Sequence, residues 1–111
     1  MDHFNAVESL AALAQSVRLA VFRRLVRAGP DGLCPSQLQE EFGLTPSVLS
    51  FHLKALRGAG LVSVRQAGRH LYYAADYTAM NALIAYLGEN CCADSADTAG
   101  DCKEPQTCAT S

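Results

Sequence analysis

What the sequence lacks narrows its function before any motif is considered. It contains no apolar run near the length of a membrane-spanning helix, about 18 residues. Its first residues lack the basic, apolar and small-residue order of a secretory leader. At 111 residues it is one domain with at most a short tail. We therefore expect a cytoplasmic protein, in which clustered cysteines serve metal binding or redox chemistry more often than structural disulfides.

Signatures of common enzymes are missing as well. The sequence has no phosphate-binding loop and no Cys-x-x-Cys pair. A small thiol enzyme remains an alternative, but nothing beyond the cysteines favours it. We therefore expect no catalytic residues and no catalytic cofactor.

Charge is unevenly distributed along the chain. Residues 16–75 contain eight basic and three acidic side chains, a net charge of +5, whereas residues 76–111 contain six acidic side chains and one lysine, a net charge of −5. A basic middle suits phosphate binding, and an acidic end would avoid DNA. An ordinary solvated surface is the alternative interpretation.

Hydrophobic spacing predicts four helices, a β-hairpin and a fifth helix. Helical spacing runs through "NAVESLAALAQ", "SVRLAVFRRLVRAG", "PSQLQEEFG" and "LTPSVLSFHLKALRGAG". "LVSVRQAGRHLYYAA" alternates around Gly68, which predicts a hairpin, and "DYTAMNALIAYLG" returns to helical spacing. This order predicts a mostly α fold with a β-hairpin wing, the winged helix-turn-helix.

The fourth helix is the candidate DNA-reading helix. Thr45 is a suitable N-cap, and an inward stripe of leucines (Leu49, Leu53 and Leu56) leaves the opposite face for the major groove. The candidate DNA contacts on that face are Pro46, Ser47, Ser50, Phe51 and Lys54. His52 lies beside the face, where it either donates to a phosphate or buttresses the helix. In the wing, Arg65, Arg69 and His70 flank the turn and are candidate contacts to the DNA backbone or minor groove, with plain solvation as the alternative.

The segment "LSFHLKALRGAGLV" resembles the recognition helix of ArsR/SmtB-type metalloregulators. That family's common form is Ser-x-His-Leu-x-x-Leu followed by Ala-Gly-Leu-Val, and the matching residues are Ser50, His52, Leu53, Leu56, Ala59, Gly60, Leu61 and Val62. "QSVRLAVFRRL" is similar to the family's Asp-Pro-x-Arg-Leu segment, with Gln15-Ser16 in place of Asp-Pro. The resemblance covers about residues 7–87. It implies a homodimer that binds an inverted repeat in double-stranded operator DNA and represses transcription until an effector releases it.

The resemblance also implies that the dimer joins through the first and last helices. The apolar stripes there are Val7, Leu10 and Ala14, and Met80, Leu83, Ile84 and Leu87. A plain core role is the alternative for both stripes. Two-fold symmetry would set the two recognition helices about 34–36 Å apart.

Two effector sites known in the family are incomplete in this chain. Arsenite-sensing members carry Glu-Leu-Cys-Val-Cys-Asp-Leu at the third helix, where this chain has Cys34 but Ser36 in place of the second cysteine. We therefore expect Cys34 to be a small, partly buried apolar residue. Zinc-sensing members place Asp and His pairs on the last helix, which here has Asp76 and no histidine.

The remaining cysteines follow the last helix. Thiolates select thiophilic ions, and the adjacent pair Cys91 and Cys92 with Cys102 resembles the tail site of some arsenite regulators of this family. The resemblance implies As(III), with Sb(III) as a further candidate, as the effector on these three residues. Choosing Cys108 instead of Cys102 costs only about 0.4 kcal/mol more in loop closure, so chain entropy leaves the third ligand open. Gly100 and the family pattern favour Cys102.

These expectations divide the chain into a DNA-binding and dimerisation domain, residues 1–88, and a flexible cysteine-containing tail, residues 89–111. Binding of the ion would fold the tail against the last helix and weaken operator binding. In two alternatives the protein is still a repressor but responds to a different effector. One is a thiol-redox switch, and the other is an organic arsenical held by Cys91 and Cys92 alone.

Overall fold

A computed structural model describes residues 1–95. The order of its elements confirms the predicted order of helices and strands. Within the described residues, no helix has the length and apolar character needed to cross a bilayer. The elements are α1 (His3–Leu13), α2 (Ser16–Ala28), α3 (Pro35–Phe42), α4 (Pro46–Gly58), β1 (Val62–Ala67), β2 (His70–Ala75) and α5 (Tyr77–Leu87).

Side chains just outside the helices fix where four of them begin. Asp2 accepts from the Asn5 amide at the start of α1, and Thr45 and Asp76 cap α4 and α5 in the same way. Gln15 caps α2, with its Oε1 accepting from the Arg18 amide at 2.7 Å. Gln15 therefore supplies the cap at the position where the resembled motif has Asp.

The core forms where α2, α3 and α4 meet the base of the hairpin. Val21 and Leu25 of α2 are fully buried. The α4 stripe is confirmed, because Leu49 and Leu56 have no exposed surface and Leu53 is only 3% exposed. Burial of each such leucine contributes roughly 1.5–3 kcal/mol, so this face of α4 is firmly held inward.

The hairpin has a third partner that the sequence pattern did not predict. β1 and β2 pair antiparallel from Val62↔Ala75 to Ala67↔His70. Leu33, in the loop before α3, forms a bridge with Tyr73, with N–O distances of 2.9 and 2.8 Å in the two directions. The wing is thereby hydrogen-bonded to the segment that leads into the helix-turn-helix.

Gly32 makes that bridge possible. Its φ is +75°, and a Cβ atom at this position would overlap the carbonyl oxygen of Tyr73. Both the backbone conformation and the close approach therefore require glycine. Gly68, at the wing turn, has a similar φ of +62° but no atom within 4 Å of where a Cβ would lie.

We predict that Gly32→Ala destabilises the fold more than Gly68→Ala. Each substitution bears the left-handed backbone cost of about 1–2 kcal/mol, but only Gly32→Ala must also displace the Tyr73 backbone. Urea unfolding followed by circular dichroism measures both free energies. Equal losses would contradict the role given to the Gly32–Tyr73 contact.

Candidate DNA-reading and thiol sites

The helix-turn-helix consists of α3, a short turn and α4. Gly43 adopts the left-handed conformation, with φ of +63°, and ends α3. Leu44 N donates to Gln39 O at 3.1 Å, which closes the turn. On the surface, Arg24 of α2 makes a two-point ion pair with Glu41 of α3, with N–O distances of 2.7 and 3.2 Å. The turn and the ion pair set the position from which α4 projects.

The outward face of α4 carries the five residues predicted for it. All of them are exposed, and Phe51 is 64% exposed. The set is Pro46, Ser47, Ser50, Phe51 and Lys54. Val48 is also exposed, at 43%, and was not among the predicted residues. Its place in the first turn of α4, away from the leucine stripe, was the available signal.

His52 is buried, with 7% of its surface exposed. Its Nδ1 accepts from Arg18 Nε at 3.4 Å. Burial, assisted by the Arg18 charge, lowers the pKa of His52 below its ordinary value of 6.5. This position favours the buttressing role over the phosphate-donating role, and a contact between His52 and DNA stays a prediction.

The three wing residues have different surroundings. Arg65 stacks over the Tyr72 ring at 4.8 Å and donates to the carbonyl oxygen of Asp31 at 3.0 Å. Its side chain is therefore directed toward the loop between α2 and α3. Arg69 is exposed beside the turn, and His70 is exposed 6.3 Å from the Tyr72 ring. Contacts of Arg69 and His70 with DNA stay a prediction.

Large apolar side chains on α1 and α5 face outward in the single chain. The buried residues of α1 are small (Ala6, Ser9 and Ala12), so the plain core interpretation is wrong for Val7 and Leu10. In α5, the core interpretation holds for Leu83, which is buried, and is wrong for Ile84 and Leu87, which are exposed. His3 Nδ1 and Tyr86 Oη, 3.0 Å apart, join the two helices. We call the exposed set the α1–α5 apolar surface: Phe4, 71% exposed, with Val7, Leu10, Ile84 and Leu87.

Cys34 is the N-cap residue of α3 and is partly buried, as expected. Its surroundings are polar rather than apolar, which corrects the second half of that expectation. Its thiol donates to Gln37 Oε1 at 3.2 Å and lies 3.5 Å from Ser36 Oγ, while its amide donates to the same Gln37 oxygen at 3.0 Å. Cys34 therefore belongs to the start of α3.

The adjacent cysteines lie in a run of turns directly after α5. Asn90 and Cys92 both have left-handed backbone conformations, with φ of 61° and 62°. Neighbouring side chains of an extended segment point to opposite sides, but here the sulfurs of Cys91 and Cys92 are 3.5 Å apart. Thiolate–metal bonds of about 2.3 Å would let one ion bond to two sulfurs up to about 4.6 Å apart. The separation of the two sulfurs lies within that limit.

The predicted third ligand, Cys102, and its alternative, Cys108, lie outside the described residues. Within residues 1–95, no three His, Cys, Asp or Glu side chains come close enough to hold a metal ion. The turns at residues 89–95 are hydrogen-bonded, for example from Ala93 N to Asn90 O at 2.9 Å. The flexible tail beginning at residue 89 stays a prediction.

Comparison with known proteins agrees with this architecture. The family described as "Helix-turn-helix domain" matches residues 13–65. The chain is 34% identical over 95 residues to the arsenical resistance operon repressor of Bacillus subtilis strain 168, covering 86% of this chain and 87% of that protein.

Solved structures are similar as well. An ArsR-like transcriptional regulator from Rhodococcus sp. RHA1 matches with a TM-score of 0.72, at 26% identity over 84% of each chain. A homodimeric winged helix-turn-helix DNA-binding domain from Mycobacterium bovis matches with a TM-score of 0.62, at 22% identity over 78% of this chain and 80% of that one. The expectation that the chain is not an enzyme is confirmed, because these proteins are DNA-binding regulators.

We predict that His52 makes the stability of the fold depend on pH. Between the lowered pKa of folded His52 and 6.5, the unfolded chain binds a proton that the folded chain does not. The stability from neutral His52 is therefore present above pH 6.5 and is lost as pH falls through the folded pKa. His52→Asn keeps an acceptor near the Nδ1 position without titrating, so it is the matched control. Urea unfolding from pH 7.5 to 5.5 should show a steeper loss for wild type, and parallel profiles would contradict the prediction.

Proposed function

The chain belongs to the ArsR family of winged helix-turn-helix transcriptional regulators, and we propose that it is a homodimeric repressor released from its operator by As(III) or Sb(III). The effector is held by Cys91, Cys92 and Cys102. The observation that carries the proposal is the pair of cysteine sulfurs 3.5 Å apart at the end of the last helix of a DNA-binding chain.

The exposed first half of α4 supports operator binding through the major groove. Ser47 and Ser50 offer hydroxyl groups to bases or phosphates, and Lys54 neutralises a phosphate. The positive end of the α4 dipole also favours a phosphate. In the wing, Arg69 and His70 lie where a neighbouring stretch of backbone or minor groove would run.

The α1–α5 apolar surface supports a homodimer. Soluble monomers rarely leave large apolar surfaces uncovered, and both helices carry large apolar side chains outward. The similar domain from Mycobacterium bovis is homodimeric. A two-fold axis through this surface would present two copies of α4 to an inverted repeat.

Two observations support a thiophilic effector. The similar protein of Bacillus subtilis is an arsenical resistance operon repressor, and soft thiolate ligands select soft ions. At the start of α3 the thiol of Cys34 contacts Gln37 and Ser36, and Ser36 stands where the arsenite-sensing motif has its second cysteine, which favours the tail pair as the site. Residues 89–111 then form the sensing segment, and residues 1–88 form the DNA-binding and dimerisation domain. Because ligation requires deprotonated thiols, binding of the ion is pH-dependent.

We predict that As(III) lowers operator affinity at least tenfold and that cysteine-to-serine variants separate the ligands from the bystanders. The reduced protein would first select an inverted-repeat duplex from a randomised pool. Fluorescence anisotropy would then measure the binding of each variant to that duplex, carrying a label. Wild type and Cys34→Ser, the matched control, should release DNA when As(III) is added. Cys91→Ser, Cys92→Ser and Cys102→Ser should stay bound.

Other outcomes assign the signal differently. Release of every variant, or of none, would make the effector assignment wrong and leave only operator binding. Release by peroxide without As(III) would indicate a redox switch. Release of Cys102→Ser by a methylated arsenical would indicate a two-thiol site, and loss of response in Cys108→Ser but not in Cys102→Ser would exchange the third ligand.

We also predict that Ile84→Glu weakens the dimer at least tenfold, because a charge would be buried without a partner in the α1–α5 apolar surface. Leu71→Glu, on the wing at 42% exposure, is the control for adding the same charge elsewhere. Sedimentation equilibrium measures both constants. An unchanged dimer in Ile84→Glu would place the interface on another surface.

A further inference from the structure

Arg18 occupies an unfavourable position by the rules of helix electrostatics. It is the third residue of α2, and the first turn of a helix carries a partial positive charge that disfavours cations. Its backbone amide is already capped by Gln15 at 2.7 Å. The partners of its side chain lie outside α2.

The first partner is the end of α1. Arg18 Nη1 donates to the carbonyl oxygen of Ala12 at 3.3 Å. Carbonyls in the last turn of a helix lack partners within the helix and carry its partial negative charge. The guanidinium thus satisfies one of these groups.

The other partners are two consecutive residues of α4. Arg18 Nε donates to His52 Nδ1 at 3.4 Å, and the guanidinium carbon lies 5.6 Å from the centroid of the Phe51 ring. The two rings contact each other edge to face, with centroids 5.7 Å apart. One planar cation therefore touches α1 and both the buried and the exposed side of the recognition helix.

We propose that Arg18 is a positioning residue for DNA binding, which holds Phe51 and His52 of the recognition helix at a set place relative to the end of α1. It acts through α4 and makes no contact with DNA itself. The inference rests on the proposed function only in that α4 reads DNA, and it is independent of the effector. A lysine cannot replace Arg18, because it lacks the planar fork that donates in two directions while facing a ring.

The test compares Arg18→Met and Arg18→Lys with Arg23→Met, which removes the same charge from an exposed position on the same helix. Operator affinity is measured by anisotropy at several salt concentrations, and thermal melts report folding. We expect at least a tenfold loss for Arg18→Met, a smaller loss for Arg18→Lys, and less than a twofold loss for Arg23→Met. The dependence of log affinity on log salt should keep the wild-type slope in Arg18→Met.

A slope reduced by about 1.8, the value for one lost phosphate contact in each protomer of the dimer, would overturn the inference by making Arg18 a direct DNA contact. Wild-type affinity in Arg18→Lys would also overturn it, and this variant provides the test if Arg18→Met does not fold.

A double-mutant cycle that combines Arg18→Met with His52→Leu adds a coupling energy that general destabilisation would not change. Because the two residues act through one contact, the double variant should lose little more than the weaker-binding single variant, and additive losses would count against the inference. Failure of wild type to bind any selected duplex would instead make the proposed function wrong.

Discussion

The inward stripe of α4 is the constraint on which the rest of the structure depends. Leu49, Leu53 and Leu56 are buried against α2 and α3, and this burial fixes the rotation of the helix about its own axis. When one face of a helix is buried in the core, the residues on its opposite face are necessarily exposed. The serines and the lysine therefore face outward because the leucines cannot. The same rotation brings His52 inside and leaves Phe51 outside, where Arg18 meets both.

Helix α1 has the opposite organisation. Its inward residues are small, which lets it lie close to its neighbours but buries little apolar area, while Val7 and Leu10 remain exposed. A helix with so little buried surface gains much of its stability from what covers its outer side. Its two ends are also held by polar contacts, with His3 to Tyr86 and Ala12 to Arg18. The proposed dimer would bury the outer side, and the contact at Ala12 would carry the position of α1 to α4.

The sequence was sufficient for the order of elements, the leucine stripe and the exposed set on α4, because each depends on local spacing and capping. It was insufficient where contacts join distant segments. The only local sign of the Leu33–Tyr73 bridge is a glycine typical of a turn. The hydrogen-bond partners of the Arg18 side chain lie 6 and 34 positions away along the chain. The outward rotation of Val7 and Leu10 could not be derived either, since apolar spacing marks a face without saying what covers it. The role of His52 depends on Arg18, a neighbour that only the fold supplies, whereas the contacts of Cys34 with Ser36 and Gln37 are local.

The bridge between Leu33 and Tyr73 has a mechanical consequence. It joins the loop before α3 to the middle of β2 through backbone hydrogen bonds. At the other end, α4 continues into β1 through Leu61, whose amide donates to Leu56 O at 3.0 Å. The wing is thus hydrogen-bonded to the helix-turn-helix before α3 and follows directly from it after α4. In the proposed dimer, these contacts favour a response in which the effector changes the spacing and tilt of the two helix-turn-helix units rather than the arrangement of wing and recognition helix within one of them.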